Sequence, residues 1–314
     1  MSLVSQNSLA SAHVPIDKRA EIADRREALF RETIWQTCRR VALGATWSLM
    51  PSRAGQLWPL ARLWLSDLVS PRRGLPDPDM SAEMGEFAGI VHDLSPTTLI
   101  AAYRRGLFPL THFGPLKWMS PRERCVLHFD EFHISRRLRA MLRQEKYTVT
   151  FDRDFESVIK ACASPRKGRL ALTWITPRIM RAYAELYDAG CVHSFEVWNR
   201  AGELVGGGYG VALGRIFIIE SLFSRETNTS KYGLTMLNWH LAKWGFQLND
   251  NKWATPTTLQ MGFRRISRAE YLHELGAALA GERPRDHFEV EASPKTVADW
   301  NFDEGSNAGP ETAG

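Results

Sequence analysis

Two acidic side chains, Glu220 and Asp250, are the groups in this 314-residue chain whose setting suits proton handling. Glu220 follows Ile216-Phe217-Ile218-Ile219, a short apolar run that reads as a buried strand. A carboxylate there is costly unless something pairs with it. Gly206-Gly207-Gly208-Tyr209-Gly210 precedes it, and glycines leave backbone unshielded, so a ligand is expected to approach closely. Asp250 falls in a second strand-like stretch, 246–253. Two carboxylates on adjacent strands can orient an amine and accept its proton. The plainer alternative is that they satisfy backbone groups or pair with Arg225 and Lys252. Trp174 follows the basic run Arg166-Lys167-Gly168-Arg169. An indole beside cations can stack a base while the cations hold phosphates, and core packing is the equal alternative.

Other chemistries find less support. The histidines are scattered, and His193-Ser194 is too thin a basis for a nucleophilic triad. The glycine run lacks the dinucleotide-binding spacing, and no phosphate-binding Walker loop occurs. Cys38, Cys125, Cys162 and Cys191 are far apart and form no metal-ligand pair, so neither a zinc site nor a disulfide framework is indicated; no cofactor and no metal are expected.

The elements needed to position these groups can be read from periodicity and caps. A strand to Glu220, a helix over 231–244 stopped by Gly245 and a strand carrying Asp250 make a crossover unit with a parallel pair. That places both carboxylates near the ends of neighbouring strands. Upstream, 194–198 and 204–211 form a hairpin about Gly202. Pro177 opens a helix closed by Gly190, and Ser95-Pro96 opens another closed by Gly106. Further elements are a helix over 135–142 and a strand over 147–151. The region 21–69 is helical, broken at Pro51, and holds Trp35, Trp47, Trp58 and Trp64 among arginines. Such helices either pack on the main domain or lie on a membrane surface.

Composition sets the frame. With 44% hydrophobic residues the chain can bury a sizeable core, and its net charge of +5 is uneven. Residues 122–169 hold twelve Lys/Arg against seven Asp/Glu, which suits an anionic partner such as RNA, while 282–314 hold three against eight. No membrane-spanning stretch or signal pattern is evident, and a cytoplasmic location is expected. The expected division is a helical extension and linker over 1–80, with a loose tail over 1–20. A small α/β part over 81–160 and a transferase domain over 161–280 follow, and 281–314 form a flexible acidic tail.

Taken together, Asp93-Leu94-Ser95-Pro96, Ala102-Tyr103-Arg104-Arg105-Gly106-Leu107-Phe108-Pro109, Trp118-Met119-Ser120-Pro121-Arg122, Phe132-His133-Ile134-Ser135, Thr173-Trp174-Ile175-Thr176, His193-Ser194-Phe195-Glu196-Val197-Trp198 and Glu220-Ser221-Leu222-Phe223-Ser224-Arg225 resemble the leucyl/phenylalanyl-tRNA-protein transferases, in order from about 87 to 275. The resemblance implies an α/β (α+β) fold with an acetyltransferase (GNAT)-like domain, a small N-terminal α/β part and an extra N-terminal helical segment. It implies transfer of leucine or phenylalanine from aminoacyl-tRNA to the α-amine of a protein beginning with arginine or lysine, which marks that protein for degradation. The partners would be aminoacyl-tRNA and a protein or peptide N-terminus. Trp174 would stack on the terminal adenosine, with Tyr183 lining the same site. Glu220 and Asp250 would sit where amine meets ester, and Phe217, Leu222, Gly208 and Ile219 would form the apolar side-chain pocket.

The chain also departs from that family's pattern. Its usual Asp-x-Gln reads Asp250-Asn251-Lys252, so an amide that accepts a hydrogen bond has become a cation that cannot. Two positions along a strand, Lys252 would share Asp250's face and neutralise it. Leu110 replaces an aromatic after Phe-Pro, Val91-His92 replaces Gly-Gly, and Ile219 and Gly208 exchange volume between facing sites of the pocket, which alters the accepted side chain. Three further readings stay open: a tRNA-dependent transferase with another amine acceptor, perched on a membrane through residues 21–70; a non-catalytic tRNA or peptide binder, which Lys252 favours; and an acetyl-CoA acetyltransferase, for which a pyrophosphate loop is missing.

Overall fold

The computed structural model describes residues 16–48, 50, 54–70, 74–78, 86–111, 114–165 and 173–300. The run Arg166-Lys167-Gly168-Arg169, residues 1–15 of the expected N-terminal tail and residues 301–314 of the acidic tail lie outside them. In chain order the helices and strands are α1 Ile16–Leu29, α2 Ile34–Ser48, α3 Ala54–Val69, β1 Phe87–Ile90, α4 Pro96–Arg104, β2 Phe108–Leu110, β3 Lys117–Met119, β4 Glu123–His128, α5 Arg136–Arg143, β5 Thr148–Phe151 and α6 Phe155–Ala163. They continue with α7 Pro177–Asp188, β6 Val192–Trp198, β7 Leu204–Leu213, β8 Ile216–Ser224, α8 Thr229–Trp244, β9 Leu248–Asp250, α9 Pro256–Leu259, β10 Arg264–Ser267, α10 Arg268–Ala280 and α11 Pro294–Ala298. This is the expected mixed α/β class, with the extra helices at the N-terminal end.

The chain divides into two compact units. One comprises residues 1–119 with 159–192, the other 120–158 with 193–314. The first holds α1 to α4, α7 and a three-stranded antiparallel sheet of order β1-β3-β2. Its helices start where the sequence supplies caps. Ser95 accepts from the Thr98 amide and Thr176 from the Ile179 amide, each with proline at the first helical position. Arg26 of α1 forms a two-point ion pair with Asp188, at 2.5 and 2.9 Å.

The second unit is built on a seven-stranded sheet of order β10-β4-β9-β8-β7-β6-β5. β8 and β9 are its parallel pair, joined by α8 as the sequence implies, with Ile218 opposite Asp250. Gly245 ends α8 at φ 87°, the left-handed cap that glycine accepts without strain. Phe195, Phe217, Ile219, Tyr232, Leu237 and Leu241 form the core between the sheet and α8. β9 is shorter than the stretch 246–253 suggested, and β8 is longer, so Glu220 lies inside its strand rather than at the end.

The described part of the acidic C-terminal segment is packed. Phe288 is buried among Phe151, Trp244 and Phe246, and stacks on His193 at 3.8 Å and 4°. Val297 and Ala298 of α11 are fully buried, and Arg139 of α5 donates to the carbonyls of Ala298 and Trp300. Three apolar anchors thus hold a stretch that charge counting assigned to solvent. Phe288→Leu is expected to cost about 1–2 kcal/mol, because the flat stack is lost although volume is nearly kept. Urea unfolding of wild type and variant checks the value.

Candidate functional site

Four buried ionic side chains meet in the second unit. Lys252 Nζ lies 2.6 Å from Glu220 Oε1. Arg124 on β4 pairs with Asp250, its terminal nitrogen on Oδ2 and its Nε 3.4 Å from Oδ1. The Tyr271 hydroxyl of α10 donates to Asp250 Oδ2 at 2.9 Å, and the Arg124 guanidinium lies 4.1 Å from the centre of the Tyr271 ring. None of these charged side chains is more than 5% exposed, so two cations face two anions almost without solvent.

The backbone explains how they converge. Between β7 and β8 the register passes from Tyr209↔Ser221 to Gly210↔Ile219, which makes Glu220 the extra residue of a β-bulge. A bulge re-aims a side chain that strict alternation would fix. β9 stops at Asp250, and the chain turns through Lys252 at φ 64°, a left-handed conformation rare for a non-glycine residue. Asp250 Oδ1 accepts from the Lys252 amide at 2.7 Å and secures that turn. Lys252 therefore does not continue the strand on Asp250's face, as its spacing suggested. Its ammonium goes to Glu220, and Arg124 neutralises Asp250 instead.

Burial shifts the titrations. It lowers the Lys252 pKa below the ordinary lysine value, a fall partly offset by the Glu220 charge. Burial together with the Asp250 carboxylate pushes Tyr271 well up, so its hydroxyl stays a donor. Burial opposes the Arg124 charge, but Asp250 outweighs it and raises that pKa.

The apolar candidates do not share this face. Adjacent residues of a strand point to opposite faces. Asn249 donates to Asn238 of α8, whereas Asp250 turns to Tyr271 of α10. Phe217 and Ile219 pack in the α8-side core, against the expectation of a pocket wall beside the carboxylates. Leu222 is half-buried against the same core and faces Gly208 across the ladder, while Ile219 faces Gly210. The proposed exchange of volume between Gly208 and Ile219 is therefore not one between facing residues. Nor do the glycines open backbone to a ligand as expected. A Cβ on Gly208 would come within 2.5 Å of Leu222 and 2.7 Å of the Ser221 carbonyl, and one on Gly206 within 2.5 Å of the Thr229 hydroxyl. Protein atoms already fill the space.

In the first unit Trp174 is half-buried just before the cap of α7. Tyr183 is fully buried, stands edge-on to it at 6.3 Å and meets the Tyr103 hydroxyl. It backs the indole rather than offering a ring face of its own. A cavity of about 920 Å³ is lined by Arg31 and Arg40, by the first turns of α7 with Arg178 and Arg181, and by Asp24, Glu27 and Glu32.

Sequence reasoning missed Arg124 and Tyr271. Signals for both exist. Arg124 is a cation on a strand whose next three residues, Cys125, Val126 and Leu127, are buried, and Tyr271 falls at helical spacing with buried Leu275 and Ala278. Arg225, an alternative partner for Glu220, donates instead to the Leu204 carbonyl at 2.8 Å. His193 pairs with Asp152 at 2.6 Å while Ser194 donates to Glu196, so the two form no nucleophile–base pair.

Comparison with known proteins gives a consistent result. Residues 126–276 match the family model described as leucyl/phenylalanyl-tRNA protein transferase, and residues 92–122 match the model of its N-terminal domain. A leucyl/phenylalanyl-tRNA–protein transferase of Pseudomonas fluorescens is 47% identical over 204 residues, 64% of this chain and 89% of the relative. That of Alkalilimnicola ehrlichii is 42% identical over 220 residues, 69% of this chain and 85% of the relative. Among solved structures, L-PGS from Bacillus licheniformis aligns with TM-score 0.30 and 15% identity, over 48% of each chain. A GCN5-related N-acetyltransferase from Sphaerobacter thermophilus aligns with TM-score 0.29 and 14% identity, over 55% of this chain and 57% of that one.

Proposed function

The chain belongs to the leucyl/phenylalanyl-tRNA protein transferase family, and on that premise we propose that it moves leucine or phenylalanine from aminoacyl-tRNA to the α-amine of a protein beginning with arginine or lysine, a mark for degradation. The observation that carries this reading is identity of 42–47% extending over 85–89% of those relatives. In the reaction the neutral amine nitrogen bonds the ester carbonyl carbon, the bond from that carbon to the ribose oxygen breaks, and the amine's proton ends on the leaving oxygen. Negative charge gathers on the carbonyl oxygen in between.

The ion quartet suits those demands. The Lys252 ammonium, held by Glu220, can stabilise the developing oxyanion where the water-poor setting strengthens its field. Its lowered pKa eases loss of a proton to the leaving oxygen. Asp250, clamped by Arg124 and Tyr271, fixes the turn that carries Lys252. In this reading Lys252 and Glu220 are the catalytic pair, and Asp250 positions them. Gly208, Phe217, Ile219 and Leu222 shape the core behind them. Incubating the protein with charged tRNAs and a peptide that begins with arginine tests the proposal. A peptide heavier by one leucine or phenylalanine is the expected product, and an unchanged mass with every tRNA contradicts it.

Trp174 is read as the stacking platform for the terminal adenosine, with exposed Arg178 and Arg181 on α7 as phosphate-binding cations. Arg178→Ala/Arg181→Ala is expected to weaken binding of every charged tRNA alike. The slope of log affinity against log salt should fall by roughly 0.7–0.9 for each phosphate that is no longer neutralised. Filter binding across a salt series measures it. A membrane-surface contact through residues 21–70 is a separate reading, favoured by tryptophans that α2 and α3 turn outward.

A further inference from the structure

We infer that α2 and α3 seat the protein on an anionic lipid surface, with an apolar stripe at the level of the acyl boundary and arginines among the phosphates. This deepens the membrane-surface reading and does not depend on the transfer reaction. The large hydrophobic side chains in the open include Ile34, Trp35 and Val41 on α2, and Trp58, Trp64, Leu65, Leu68 and Val69 on α3. Trp35 is 77% exposed and Trp58 74%. On α3 the positions 58, 65 and 69 recur at helical spacing and make one outward stripe, while Leu63 is buried. A helix packed only on its own domain turns such a stripe inward.

The charges around the stripe select the occupant. Exposed Arg62 lies on it, one turn beyond Trp58, and exposed Arg39 follows Trp35 by one turn. Residues 34–69 hold four arginines, of which Arg40 is paired with Glu32 at 3.2 Å, and a single acidic residue, Asp67. Asp67 is half-buried, off the stripe, and bonded to His92 Nε2 at 2.9 Å. Tryptophan, aliphatic residues and arginine without carboxylate is the combination that suits a headgroup region carrying negative charge. α3 has 16 residues, and no helix among the described residues is long and apolar enough to cross a membrane. The helices therefore lie in the interface plane, where Arg62 can extend its head to phosphate while its stem stays apolar.

Flotation of the full chain with vesicles tests this. Recovery with vesicles containing phosphatidylglycerol is expected to exceed recovery with phosphatidylcholine alone by about tenfold or more, and to fall at high salt. Trp58→Ser/Leu65→Ser/Val69→Ser replaces only exposed groups, and it should abolish flotation while transfer to peptide in solution stays at the wild-type rate. Failure to float with phosphatidylglycerol vesicles overturns both this inference and the membrane-surface reading. Equal recovery on both vesicle types overturns the anionic preference and leaves that reading standing. A concentration-dependent dimer that the triple variant dissolves assigns the stripe to a second copy and overturns the inference. Failure of the transfer reading shows separately, in the peptide mass.

Discussion

Asp250→Asn is expected to cost about 3–5 kcal/mol of stability, because it leaves the Arg124 guanidinium buried opposite a neutral amide. Arginine cannot escape by losing its proton, so the deficit relative to wild type should hold from neutral to alkaline pH. Asparagine can still accept from the Lys252 amide, and the turn is therefore expected to survive where the variant folds. Urea titrations across pH check both statements. A deficit that vanishes on raising the pH would mean that Arg124 is not the group left exposed to the loss.

Glu220→Gln should behave differently although it also breaks a buried ion pair. Its penalty near neutral pH is again about 3–5 kcal/mol, because Lys252 keeps its burial and loses its carboxylate. Lysine can neutralise. Its pKa in the folded state is depressed, whereas in the unfolded chain it is near the ordinary value of about 10.4. Between those two values the unfolded chain binds more protons than the folded one, so stability rises with pH across that window. The variant should accordingly recover toward wild type as the pH approaches about 10. Adding Lys252→Gln removes the stranded charge, so the double variant should regain most of the lost stability, and a double-mutant cycle measures the coupling. The double variant carries at 252 the glutamine usual in the family but no carboxylate at 220, and it is expected to transfer at least about a hundredfold more slowly because the group that holds residue 252 toward the developing oxyanion is gone.

Much of the framework was legible because local rules and fold agree there. Apolar runs and Gly245 located β8, α8 and β9, Ser95-Pro96 and Pro177 located α4 and α7, and the crossover made β8 and β9 neighbours. Glu220 and Asp250 could be singled out because a carboxylate beside a buried run needs a partner. Which partner it takes depends on details that period-two reasoning misses. The bulge at Glu220 and the left-handed turn at Lys252 each shift the alternation by one residue, so Lys252 reached Glu220 rather than Asp250. Arg124 and Tyr271 arrive from β4 and α10, far away in sequence, and no spacing rule links them to Asp250. The glycine run looked open because glycine has no side chain, but Thr229, Leu222 and Phe195 come from elsewhere in the chain to fill it. In the C-terminal segment acidic composition masked three buried apolar positions, Phe288, Val297 and Ala298.

The rate of a single turnover onto an arginine-starting peptide, measured for wild type and Glu220→Gln/Lys252→Gln at a pH where both are folded, tests most directly whether the quartet is the seat of transfer. Rapid addition of leucine or phenylalanine by wild type and a loss of about a hundredfold or more in the double variant is the predicted result. Equal rates would contradict the assignment of Lys252 and Glu220.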